Sequence, residues 1–200
     1  KSGFNTENQI GISLDIAASQ IYKDGIYSIE KNNQELTKEE WLIKIISWVD
    51  NFPIISIEDP FEESDFDSFS ILLNEVGSQI QIVGDDLLVT NKQLIHRAMD
   101  LNACNTLLCK PNQIGTLLEA KEALLMAKEM KWDTIVSARS GESEDTSLVH
   151  LAIGWGASQI KVGAFSRSER MAKWNEVIRI EESLGNKSRF ASLNNFGKRK

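Results

Sequence analysis

The chain has 200 residues, 42% of them apolar and 26% charged, with 22 Lys and Arg against 29 Asp and Glu for a net charge of −7. That composition suits one domain or a large piece of one with a sizeable core, and it excludes a disordered chain. Basic residues are dispersed apart from Lys198-Arg199-Lys200, and the apolar runs are short, so neither nucleic acid, nor an anionic membrane surface, nor a membrane span is expected.

In chain order, Ile10 to Leu14 reads as a short apolar strand that stops at Asp15. Ile16 to Glu30 contains Asp24-Gly25 and is expected to be loop or hairpin. Thr37-Lys38-Glu39-Glu40 is a capping box, and Leu42, Ile45, Ile46 and Val49 recur at helical spacing until Asn51-Phe52-Pro53. Ile54 to Ile57 is the next strand, ending at Glu58-Asp59-Pro60 and followed by a helix over 65–76. Ile80 to Val83 is the third, ending in Gly84-Asp85-Asp86, with Thr90 and Gln93 expected to cap the helix that runs to Met99. Thr106 to Cys109 ends on Lys110; Pro111 and Gly115 then turn the chain into a helix with Leu117, Ala120, Leu124 and Ala127 on its inner face. Thr134 to Val136 leads into Ser137-Ala138-Arg139-Ser140-Gly141-Glu142 and a helix over 146–154. The sixth strand, Gln159 to Val162, carries Lys161, and Ser166 with Glu169 is expected to open a last helix that Gly185 stops. Residues 1–185 thus read as one domain and 186–200 as a polar tail.

Six strand-and-helix units in series make a parallel α/β sheet. A closed barrel needs eight units and typically about 250 residues, so either the sheet is open and doubly wound or two units are missing. In either case functional groups gather at the carboxyl ends of the strands. Here those ends carry Asp15, Glu58, Asp85, Lys110, Arg139 with Ser140, and Lys161: three acids, then three bases. Taken singly, each acid is more often a cap or a solvated loop group, Lys110 a snorkelling lysine and Arg139 half of an ion pair. Joint placement on one rim reverses that weighting. Three converging carboxylates repel one another unless a cation neutralises them, and hard oxygen ligands suit Mg²⁺. The bases opposite would hold an anion, and an arginine beside a serine hydroxyl suits phosphate. A lysine desolvated among cations can take a proton. Asp59 and Asp86 read as supporting groups, His96 and His150 as surface or core histidines, and the five tryptophans as packing residues of helix faces and ends. Cys104 and Cys109 lie too close along the chain to bridge easily and read as reduced core residues, which points to a cytoplasmic location.

Ser56-Ile57-Glu58-Asp59-Pro60-Phe61, Gly84-Asp85-Asp86-Leu87, Leu107 through Gly115, Ser137 through Asp145, Gln159-Ile160-Lys161 and Arg167-Ser168-Glu169-Arg170 together resemble enolase, in that order. The resemblance runs from about Ile10 to Gly185 and implies an incomplete (β/α)8 TIM-type barrel of the enolase C-terminal domain. It implies the Mg²⁺-dependent lyase of glycolysis, phosphopyruvate hydratase, which converts 2-phosphoglycerate to phosphoenolpyruvate and works as a homo-oligomer at full length. A lysine base with one or two Mg²⁺ ions is the general pattern of that superfamily, not something these residues demonstrate. On the resemblance, Asp15, Glu58 and Asp85 hold the metal, Lys110 is the base that removes the C2 proton, Lys161 faces the substrate carboxylate, and Arg139 with Ser140 binds the phosphate. Ala138 stands where enolases have histidine. The family's N-terminal domain, first two barrel strands, acid glutamates and closing loop have no counterpart here, so this chain alone is expected to be inactive. The alternatives are a paralogue acting on another phosphate- or phosphonate-bearing acid, and a non-catalytic enolase-like binding protein.

Overall fold

The computed structural model describes residues 3–6, 9–29 and 34–191. Glu30, at the end of the expected hairpin, and the tail from residue 192, with its basic terminus, lie outside the described residues. Strand β1 (Ile12–Asp15) is followed by a 3₁₀ turn at Ala18–Gln20 and an antiparallel sheet of β2 (Tyr22–Lys23), β3 (Ile26–Ile29) and β4 (Gln34–Thr37). The hairpin turn falls at Asp24-Gly25, both at positive φ, as that dipeptide favours. Strand β4 has no signal in the sequence beyond its cap residue, because only Leu36 of its four residues is buried.

The rest alternates: α1 (Lys38–Asn51), β5 (Ile54–Glu58), α2 (Phe66–Val76), β6 (Gln81–Gly84), α3 (Lys92–Asp100), β7 (Thr106–Cys109), α4 (Pro111–Ile114), α5 (Leu117–Glu129), β8 (Asp133–Ser137), α6 (Ser147–Gly154), β9 (Gln159–Lys161) and α7 (Ser168–Leu184). Strands β1-β5-β6-β7-β8-β9 pair in that order, all parallel. They form a curled half-barrel with the helices packed against it, an incomplete TIM-type barrel.

Strand alternation sorts the side chains. Ile57, Ile82, Leu107, Cys109 and Val136 belong to the large core beneath the helices, with Leu14 and Ile160 packed against it. Their neighbours Val83, Leu108 and Ile135 form a separate small cluster on the other face of the sheet. The same parity places Asp15, Glu58 and Lys161 on that second face, each one residue beyond a core residue. Both cysteines are buried thiols.

Three details depart from the sequence reading. Asn91, not Thr90, caps α3, accepting from Gln93 N and Leu94 N, because Thr90 lies at φ 58 with its hydroxyl committed elsewhere. Arg167 occupies the N-cap of α7 without a side-chain cap bond, so Ser166 and Glu169 form no capping box. Leu117 is exposed, and the inner face of α5 is Ala120, Ala123, Leu124 and Ala127, one turn further on, since α4 takes up the chain before it. The Thr37–Glu40 capping box is present, with Glu40 N donating to Thr37 Oγ1 and Thr37 N to Glu40 Oε2.

Candidate active site

The strand tips are stitched edge to edge before any side chain is considered. Ile16 N donates to Glu58 O, Ala18 N to Asp59 O and Asp59 N to Val83 O, which sets the ends of β1, β5 and β6 at one level. Asp59 sits at φ 42, a conformation unusual outside glycine, and it turns its buried carboxylate toward the β6 tip. There Oδ1 accepts from Asp85 N at 3.0 Å and Oδ2 from Asp86 N at 2.7 Å. The turn after Gly84 is therefore held by a neighbouring strand's side chain. Burial pushes the Asp59 carboxyl up to about 7; the two amide bonds oppose this, and the charges of Asp85 and Asp86 add to it.

Two lysines close the rim. Lys161 Nζ lies 2.7 Å from Asp15 Oδ2 and 2.7 Å from each oxygen of Glu58. Because β1 and β9 are the two outer strands of the sheet, this ammonium joins its opposite edges. Lys110 Nζ donates to Asp85 Oδ2, and its backbone N donates to the Thr90 hydroxyl at 2.9 Å, the bond that takes Thr90 away from capping. Burial raises the Glu58 carboxyl above its ordinary value; Lys161 opposes the shift, and Asp15 and Asp85 reinforce it. For Lys161 burial acts downward, but the Glu58 and Asp15 charges outweigh it and its proton is held more tightly than usual. We therefore read Lys161 as a fixed ammonium and Glu58 as the carboxylate whose charge depends on nearby cations.

The structure thus brings Asp15 and Glu58 together around Lys161, and Asp85 onto Lys110. Arg139 and Ser140 sit in the loop after β8, both exposed; the Arg139 charge acts on the Asp86 carboxyl, opposing the upward push from burial and from Asp85. Ala138 beside them is half-buried and packs on the core. His96 and His150 are exposed surface residues facing Asp100 and Glu176.

Among the described residues, Asp59, Asp85 and Asp86 form a group whose ligand oxygens all lie within 4.8 Å of one another, close enough to hold a metal ion. Asp85 Oδ1 is moreover buried and has no hydrogen-bond partner among the described residues, which suits an oxygen that ligates a cation. Donor chemistry and the orphaned oxygen both fit a hard divalent ion at Asp85. Sequence reasoning gave Asp59 only a supporting part. The Glu58-Asp59 and Asp85-Asp86 doublets were the available signal, but side chains that bind a neighbouring strand's amides have no local spacing.

A family model described as the enolase C-terminal TIM barrel domain matches residues 1–199. Enolase 1 of Desulfitobacterium hafniense (strain Y51) is 46% identical over 193 residues, which are 96% of this chain and 44% of that protein. The chain spans less than half the length of the curated relative it matches.

Proposed function

The chain belongs to the enolase family through its C-terminal barrel domain, and from that premise we propose that it supplies the base, metal and phosphate half of a 2-phosphoglycerate dehydratase forming phosphoenolpyruvate. The observation that carries the reading is the pairing of Lys110 with Asp85 beside the Lys161, Asp15 and Glu58 cluster on one rim. Asp15, Glu58 and Asp85 would hold Mg²⁺, with Asp59 fixing the backbone that presents Asp85. Bound there, the ion supplies positive charge that polarises a substrate carboxylate.

Lys161 keeps its proton and, with Asp15 and Glu58 turned from it to the ion, offsets the negative charge of an incoming acid. Lys110, paired with Asp85 at the rim, is the base that accepts the C2 proton at Nζ. The exposed guanidinium of Arg139 and the Ser140 hydroxyl meet the phosphate, for which a planar fork of donors is the matching shape. The leaving hydroxyl needs an acid from outside these residues, so the activity is that of the full-length protein. On this reading the full-length protein works in the cytosol, in glycolysis, as a homo-oligomer.

The half-buried Ala138 favours one second reading, a paralogue acting on another phosphate- or phosphonate-bearing acid, because the family's histidine would add a polar group beside Arg139. Phosphoenolpyruvate absorbance decides between them. The full-length protein should form it from 2-phosphoglycerate only with Mg²⁺, and Ala138→His should raise turnover. A parent inert toward 2-phosphoglycerate but still binding Mg²⁺ would replace the first reading by the second.

A further inference from the structure

Lys173 is the one lysine among the described residues that is essentially inaccessible, at 2% exposure. Burying an ammonium costs several kcal/mol unless its protons are satisfied, and lysines are almost never buried without such a reason. Among the described residues, Lys173 Nζ meets no carboxylate at hydrogen-bond distance; it donates to two backbone carbonyls, Ser143 O at 2.8 Å and Glu169 O at 3.0 Å. Glu169 lies one turn back on α7, so that bond aims the side chain. Ser143 lies in the loop after β8, so the other bond fastens the loop.

That loop carries Arg139 and Ser140 at its exposed end and Gly141 at φ 83. Asn112 donates to Glu142 on one flank, and Asp145 accepts from Ser147 N at 2.8 Å where the loop enters α6. Between those flanks, the buried ammonium ties the loop to α7. A methionine would fill the same space and avoid the desolvation cost. What it would not do is hold a carbonyl in place.

We infer that Lys173 is a positioning residue whose ammonium, bonded to the Ser143 carbonyl, holds the 139–145 loop so that Arg139 and Ser140 stay at the rim. The inference rests on the reading of those two residues as the phosphate contacts. Hydrogen exchange of the full-length protein followed by mass spectrometry reads the loop directly. Lys173→Met should speed exchange in peptides covering 139–145 on the order of ten- to hundredfold, the loss of one charge-assisted bond, while peptides of β6 and β7 keep their protection. Lys173→Arg should restore it. The Kd for inorganic phosphate should weaken in Lys173→Met and recover in Lys173→Arg, with the Kd for Mg²⁺ unchanged in both.

Loop exchange that stays at the parental rate, or rises equally across β8, α6 and α7, would overturn the inference and leave Lys173 a general structural residue. Should Lys173→Met fail to fold, Lys173→Gln keeps amide donors with a shorter reach and must show intermediate loop exchange; parental exchange there overturns the inference equally. Arg139→Met separates the two levels. If it leaves phosphate affinity unchanged, the phosphate reading fails, and the exchange data still decide what Lys173 does.

Discussion

Glu58 and Asp85 are both over nine-tenths buried, and each meets a lysine where the family resemblance implies a metal. A lysine can stand in that place because either cation answers the same excess of negative charge. Asp85→Ala in the full-length protein should therefore weaken Mg²⁺ binding more than about tenfold by calorimetry, since it removes a charge and a buried oxygen without a hydrogen-bond partner together. Unchanged affinity would place the ion elsewhere. Tyr27 gives an independent residue-scale test in the small sheet. It is fully buried among Tyr22, Trp41 and Phe61, and its hydroxyl accepts from Glu62 N at 3.1 Å. Burial raises its phenol from 10.0 to about 12, so the fold favours the neutral ring. The sign follows: that contribution is complete below the unfolded phenol's pKa and is lost as pH rises through about 12. Denaturant unfolding across that window should show the loss. Tyr27→Phe should flatten it, at a cost of about 1 kcal/mol near neutral pH from the unpaired Glu62 N–H.

At the scale of elements, the parts legible in the sequence were those with local physics. The Thr37–Glu40 box, the Asp24-Gly25 turn and the apolar strand runs each act within a few residues, and each stands in the structure. The Thr90 misreading came from long-range competition. Thr90 has the chemistry of a cap, but the Lys110 amide twenty residues away claims its hydroxyl. Gly84 shows an element and the site depending on one atom. A Cβ there would lie 2.6 Å from Leu88 Cγ in the core, so the β6 tip would have to move and carry Asp85 with it. Gly84→Ala should cost about 1–3 kcal/mol in thermal unfolding and weaken Mg²⁺ binding in parallel. Stability lost without any change in affinity would mean that the tip absorbs the strain before it reaches Asp85.

The described residues form a half-barrel whose outer strands β1 and β9 are linked at the rim by Lys161 rather than by backbone pairing. The parallel direction of the six strands and the gathering of acids and bases at their carboxyl ends followed from βα alternation, whereas the sequential strand order came from the family resemblance, since alternation left a doubly wound sheet open. Which lysine meets which acid did not, because that depends on how far the sheet curls. Lys161→Met should lower the melting temperature by leaving Glu58 buried without its counter-charge, and added Mg²⁺ should recover more in the variant than in the parent. Equal recovery would separate the ion from Glu58. The most direct test of the account is exchange of the C2 proton of 2-phosphoglycerate in deuterated water with Mg²⁺, followed by NMR on the full-length protein and its Lys110→Ala variant. The account predicts exchange by the parent and none by the variant. Exchange by Lys110→Ala at the parental rate would contradict it.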